Sequence, residues 1–422
     1  MIGADFFKAL MTTSRVAFLV AFLYLTFGVE AENFFETVSV SDDGKLIRKI
    51  ARDLTPEKIN SDLFAFGDVN ISGPYGQTAL MWVAGFNENP AVLRVLLDNN
   101  ANLEAKDNDG STCLMYAVGG REPEVLKLLL QFGAELETRN NRGMTPLMVA
   151  SKWNQNPIFI QVLLQAGAEI EAKDLLGRTA LMVAASSKKI SVTTVSLLLD
   201  AGARLEVKDQ YGWTPLMFSI AGGEVKNNRV DNTLVTRPIG IVELFLTYGA
   251  DLHARTYKGL TPLMIAIAQT EQIDLVNLLL EFGSDLEQRD NQGFTPLMWA
   301  ACCNNNPKIT RLLLNSDAKV EVYSNSGYSP LMWSASDNLS VEVLNLLLNG
   351  GANIEALDPW GNTVLARSAK FNSNPEIILK LIELTSNKSK ENNFGQTALD
   401  LLYTNENIDQ DSHFENLEQL LK

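Results

Sequence analysis

The residues whose types could support chemistry in this 422-residue chain are three cysteines, two histidines and a regular row of glutamates. Cys302 and Cys303 are adjacent, and paired thiols can bind a soft metal or act as nucleophiles. No basic residue flanks them to favour a thiolate, so as free thiols they make a poor reactive centre. Cys113 reads as a small buried apolar residue. An odd number of cysteines in a chain of this length is no disulfide framework, and folding is expected not to need oxidation. His253 and His413 lie far apart, which leaves no His-based triad or zinc site. No phosphate-binding loop and no dinucleotide-type Gly-x-Gly-x-x-Gly follows a strand pattern. Glu104, Glu137, Glu171, Glu206, Glu287, Glu321 and Glu355 recur at one position, and Lys106, Arg139, Lys173, Lys208 and Arg289 follow two residues later. That pattern reads as a ladder of solvated ion pairs, each of small value. The paired cations oppose calcium binding by the carboxylates. The sequence therefore assigns no catalytic residue, no cofactor and no metal site.

The elements that must position these residues are read from the whole chain. It is 46% hydrophobic and 20% charged, with a formal net charge of −15. Such an acidic balance excludes a basic stripe for nucleic acid and docking on an anionic membrane surface. It favours solubility instead. Residues 1–31 read as a cleaved secretory signal: Lys8 and Arg15, an apolar run from Val16 to Val29, then Val29-Glu30-Ala31 as a small-residue cleavage site. The apolar run is short for a membrane span, which needs about 20 residues. No cysteine follows it to carry a lipid. The expectation is an exported chain, periplasmic or extracellular, with no stable membrane span after cleavage.

Glycines stand at Gly76, Gly110, Gly143, Gly177, Gly212, Gly259, Gly293, Gly327, Gly361 and Gly395. They are 33 to 35 residues apart, except for 47 between Gly212 and Gly259. A fixed period of this size means stacked supersecondary units. Thr145-Pro146, Thr214-Pro215, Thr261-Pro262, Thr295-Pro296 and Ser329-Pro330 are helix starts: a hydroxyl caps free backbone N–H groups, and proline fits the first turn. Asn89-Pro90, Asn156-Pro157, Asn306-Pro307 and Asn374-Pro375 start a second helix on the same logic. A Leu-rich run then ends in Gly-Ala at Gly133, Gly167, Gly202, Gly249 and Gly351, a natural left-handed stop. Each unit is thus helix, tight turn, helix and a projecting hairpin-like loop. Helices this short need a neighbouring copy to cover their apolar faces.

The phrases GMTPLM, GFTPLM and GYSPLM resemble the Thr-Pro-Leu-His signature of ankyrin repeats. The resemblance covers roughly residues 72 to 422 and has one systematic departure. Where the family commonly has histidine, this chain has Met81, Met115, Met148, Met182, Met217, Met264, Met298 and Met332. Flexible apolar packing is expected in place of the family's imidazole hydrogen bonds. Trp82, Trp299 and Trp333 follow the methionines and are assigned to packing between units. Cys113 and Cys302, five repeats apart, would be separated by roughly 40–50 Å at ordinary helix spacing, far beyond the ~7 Å of a disulfide.

The resulting expectation is an all-α ankyrin-repeat solenoid of about ten repeats with divergent caps. Its parts are a signal peptide (1–31), an N-terminal degenerate repeat (32–71), the array (72–394) and a C-terminal cap (395–422). The resemblance implies partner binding by loop tips and inner helices. Aromatic residues there supply large contact area at low entropy cost. The residues assigned to partner binding are Tyr211, Trp213, Tyr257, Phe294, Tyr323, Tyr328 and Trp360. The expected partner is another protein or a peptide, held by a monomer with no activity of its own. The competing reading is an exported effector, or a metal- or thiol-dependent activity using the 220–239 insert and Cys302/Cys303.

Overall fold

The computed structural model describes residues 55–56, 69–70, 72, 75–187, 191–221, 225–226, 229–230, 238–269, 272–408 and 412–422, with backbone alone at 225–226, 229–230 and 412–413. The secretory leader, most of the N-terminal degenerate repeat and most of the 220–239 insert lie outside them. The chain divides into two compact units, Met1–Arg204 and Leu205–Lys422.

The first unit holds four helix pairs: α1 (Ala79–Phe86) with α2 (Pro90–Asp98), α3 (Cys113–Val118) with α4 (Pro123–Gln131), α5 (Pro146–Trp153) with α6 (Pro157–Gln165), and α7 (Ala180–Ser186) with α8 (Val192–Asp200). The second holds six: α9 (Pro215–Ala221) with α10 (Ile239–Thr247), α11 (Pro262–Gln269) with α12 (Ile273–Glu281), α13 (Pro296–Cys303) with α14 (Pro307–Asn315), α15 (Pro330–Asp337) with α16 (Val341–Asn349), α17 (Val364–Phe371) with α18 (Pro375–Leu384), and α19 (Ala398–Leu402) with α20 (Ser412–Leu421). Each of the ten pairs follows one of the sequence glycines. A two-residue ribbon in the insert, β1 (Val225–Lys226) against β2 (Arg229–Val230), pairs antiparallel with Val225 opposite Val230.

The helix starts form as the local chemistry dictates. Thr295 Oγ1 accepts from Met298 N at 3.4 Å and Ser329 Oγ from Met332 N at 3.3 Å. Asn156 Oδ1 accepts from Ile158 N at 3.1 Å, one residue past Pro157. The Leu-rich helices close on left-handed residues, Gly351 at φ 95° among them. Asp317 takes the same place at φ 66°, so this stop tolerates a short polar side chain.

All eight methionines of the row are buried, Met148, Met182 and Met298 at 0% exposure. Within each unit, the inner helices (the first of each pair) pack on one another through this row. The residue just after the row position carries polar contacts in three of the repeats. The carboxylates of three turn aspartates reach the side chain nine positions on: Tyr116 donates to Asp107 Oδ2 at 2.9 Å, Trp299 Nε1 to Asp290 Oδ2 at 3.2 Å, and Arg367 Nη1 to Asp358 Oδ2 at 3.2 Å.

The glutamate row corrects the ion-pair expectation. Each carboxylate accepts from a backbone N–H of the next repeat: Glu104 from Glu135 N, Glu137 from Glu169 N, and in the second unit Glu287 from Lys319 N and Glu321 from Asn353 N, at 2.8–2.9 Å. The cations two residues on reach forward to carbonyls, as Lys208 does to Arg255 O at 2.8 Å and Arg289 to Tyr323 O at 2.7 Å. Repeat-to-repeat register brings main-chain groups into reach before opposite charges meet. These bonds to charged groups are worth more than exposed ion pairs, about 1.5–3 kcal/mol against 0–1.

A second ladder runs through the turns inside the pairs. In the second unit, Asn304 Nδ2 donates to Ile267 O at 2.7 Å, Asn338 Nδ2 to Ala301 O at 2.9 Å and Asn304 O at 3.0 Å, and Asn372 Nδ2 to Ala335 O at 2.9 Å and Asn338 O at 3.0 Å. In the first unit Asn154 Nδ2 donates to Val118 O at 2.6 Å, while Gly120 stands at the equivalent place one repeat earlier.

Candidate protein-binding face

The loop tips are stitched together before any partner arrives. Asn291 N donates to Lys258 O at 3.0 Å and Asn325 N to Gln292 O at 2.9 Å, each joining one tip to the next. Asn325 Nδ2 adds a bond to Asn291 O at 3.0 Å. Gly293, at φ 80°, lets two tips meet this closely: a Cβ there would lie 2.5 Å from Asn325 Oδ1 and 2.7 Å from Asn325 N. The tip side chains therefore project from a fixed backbone.

A simple rule decides which of them face solvent. The residue after the turn glycine has its N–H bound to the turn aspartate, as Trp213 N is to Asp209 Oδ1 at 2.8 Å and Phe294 N to Asp290 Oδ1 at 2.9 Å. Tyr211 N binds the same Asp209 Oδ1 at 2.8 Å, so position relative to the glycine, and not the bond, separates the two; the residue after the glycine points inward. Trp213 is 3% exposed and Phe294 8%, which corrects their expected exposure. Trp213 packs on Phe218 at 5.5 Å between ring centroids. Residues just before the glycine point outward: Trp360 is exposed and Tyr211 half-buried. Tyr257, two before its glycine, is 65% exposed. Tyr323, at the start of its tip, is also exposed. Its hydroxyl donates to Glu321 Oε2 at 3.0 Å; slight burial and then that carboxylate raise the phenol above its ordinary range.

Three of the seven sequence candidates, Phe294, Tyr328 and Trp360, join one continuous aromatic chain. Phe294 meets Trp299 at 5.6 Å and Trp333 at 4.8 Å. Tyr328 meets Trp333 edge-on at 5.1 Å and Trp360 at 5.9 Å. These separations and tilts are those of favourable ring pairs, each worth about 0.5–1.5 kcal/mol beyond area burial. Trp299 and Trp333 were assigned to packing between repeats; they do that and also link the tips to the inner helices α13 and α15. Trp213, Tyr211, Tyr257 and Tyr323 stand outside this chain among the described contacts.

Sequence reasoning missed Arg367. Its guanidinium lies 3.8 Å from the Tyr328 ring centroid and 5.5 Å from that of Phe371. It is buried together with Asp358, its ion partner. The signal was present in the sequence, since Arg367 occupies the position that Trp299 and Trp333 hold in their own repeats.

The cysteines also differ from expectation. Cys302 and Cys303, expected as free thiols, are joined by a disulfide at the end of α13. Cys113 is a buried free thiol, pushed up to about 12 by burial and then by Glu104. Among the described residues no three His, Cys, Asp or Glu side chains converge as a metal-binding group. No helix among them is long and apolar enough to cross a membrane.

A family model described as ankyrin repeats (3 copies) matches residues 50–140, 80–174, 147–229, 237–324 and 268–358. No curated protein matches the chain. Ankyrin repeats are protein-binding scaffolds, generally without catalytic activity, that mediate protein–protein contacts. With ten helix pairs of one period and family matches across most of the array, the chain belongs to the ankyrin-repeat family.

Proposed function

We propose that this protein is an exported, non-catalytic binding protein that holds another protein or an extended peptide in the groove formed by its fifth to ninth repeats. The observation that carries this reading is the aromatic chain from Phe294 to Trp360. Phe294 is buried, Trp299, Trp333 and Tyr328 are half-buried, and Trp360 stands in solvent, on a backbone already fixed by inter-tip hydrogen bonds. Rigid aromatic area costs little entropy to desolvate and is what contact hot spots are made of. Export rests on the leader pattern in residues 1–31, and the monomeric state remains part of the proposal.

The test is a pull-down from an extracytoplasmic fraction with the full chain as bait. The comparison variant replaces the exposed Tyr257, Tyr323 and Trp360 with Ala and leaves the buried Trp213 and Phe294 in place. A partner kept by the parent and lost by a variant of equal thermal stability supports the assignment. Equal capture by both removes the site from this face. Retention of the chain in the cytoplasm would overturn the export half alone.

A further inference from the structure

We propose that the Cys302–Cys303 disulfide is a thiol-exchange site, opened and remade in the folded protein by a dithiol. The bond joins adjacent residues. A disulfide stabilises chiefly by closing a loop of the unfolded chain, and the effect grows with loop length; here there is almost no loop to close. The end of α13 is held by other means. Asn304 N donates to Ala300 O at 3.3 Å, and Asn304 Nδ2 to Ile267 O at 2.7 Å. The bond is therefore not a staple, and breaking it leaves the fold intact.

The two sulfurs are unequal. Cys303 is exposed, whereas Cys302 is 9% exposed and packs in the cluster of Phe294 and Met298. Access decides which sulfur an incoming thiolate attacks. A thiolate of the dithiol bonds to Cys303 Sγ, the Cys302–Cys303 bond breaks, and Cys302 leaves with the electron pair and takes a proton. Trp299 O, 3.7 Å from Cys302 Sγ, accepts that S–H. The second thiol of the reagent then displaces Cys303 from the mixed disulfide. The dithiol ends as its own disulfide, and the protein ends with two thiols; the reverse steps remake the bond. The site lies against Trp299 and Trp333, so exchange happens at the foot of the aromatic chain. Cys113 stays out of this chemistry, because burial keeps it protonated at neutral pH.

The experiment uses the full chain purified without reductant, treated with a maleimide before and after dithiothreitol, and read by intact mass and peptide mapping. The expected result is no label on the folded, untreated protein. After dithiothreitol and its removal, two labels appear, on Cys302 and Cys303, with unchanged circular dichroism. Cys303→Ser keeps the fold, since position 303 faces solvent, and its Cys302 takes label with no reductant. Labelling of Cys302 or Cys303 in the untreated parent overturns the proposal, because the bond is then absent. A bond that dithiothreitol opens only in denaturant overturns it equally.

Discussion

Replacing Asn338 with Ala tests the idea that the inner-turn asparagines, rather than the loops, hold neighbouring repeats together. Asn338 is fully buried. Its carboxamide donates to Ala301 O at 2.9 Å and Asn304 O at 3.0 Å and accepts from Ser340 N at 2.8 Å. Truncation leaves two carbonyls of the preceding repeat without this donor. Ser340 is half-buried, so water can replace its lost acceptor at smaller cost. With about 1–3 kcal/mol for each of the two buried carbonyls left unpaired, the loss should be roughly 2–6 kcal/mol. In a stack where each repeat touches only its neighbours, that loss falls on one interface. Urea titration followed by circular dichroism measures the total. Native-state hydrogen exchange shows where it falls: protection should drop in α15 to α20 and persist in α11 and α12. A change below about 0.5 kcal/mol would refute the claim that these bonds hold the interface, given the expected cost of an unpaired buried group. Even loss of protection from α9 to α20 would refute the nearest-neighbour argument.

Other perturbations follow from single contacts. Among the described residues Trp333 Nε1 is buried with no hydrogen-bond partner, and Ser324 stands where Asp290 serves Trp299; Ser324→Asp should add about 1 kcal/mol in a urea titration. Arg367→Met strands the buried Asp358 and should cost about 3–5 kcal/mol, most of it recovered when Asp358→Asn is added. Gly293→Ala forces a Cβ against Asn325 at φ 80° and should lower stability by about 1–3 kcal/mol, measured by thermal unfolding. The Tyr116 phenol is held well above 10 by burial and then by Asp107. Because its folded value is raised, its contribution is complete below pH 10 and is lost as pH rises through the folded value. Tyr116→Phe should therefore move the alkaline unfolding midpoint, followed by circular dichroism, to higher pH.

The fold was legible because its punctuation is local and repeated. Thr-Pro, Asn-Pro and Gly-Ala act within one turn of chain, so the helix starts at Pro296 and Pro307 needed no tertiary information. The candidate face was only half legible. Tyr211 and Trp213 are both aromatic, flank one glycine and donate their N–H groups to the same Asp209 oxygen, yet only Trp213 is turned inward. Residue type alone carries no such sign. The glutamate row looked like ion pairs because sequence aligns Glu with Lys; the offset to the next repeat instead presents a backbone N–H. Adjacency of Cys302 and Cys303 was visible, but their bond depends on side-chain rotamers that spacing does not fix. Arg367 was visible only as the odd member of a row otherwise read as packing.

The two ladders share a direction. Within each unit, the glutamates of one repeat wait for N–H groups of the next, and the carbonyls of one repeat wait for the asparagine of the next. In both cases the earlier repeat supplies acceptors and the later one brings donors. A ribosome releases the chain in that same order. At every stage of synthesis the growing end thus presents carboxylates and carbonyls, with the charged heads of the forward-reaching Arg and Lys side chains, and each new helix pair displaces water from them as it docks. A stop after any completed pair leaves an edge of carboxylates, carbonyls and exposed Arg and Lys side chains, all of which water solvates. Removing repeats from the N-terminal side should be the more damaging truncation, since it strips acceptors from donors already folded into place.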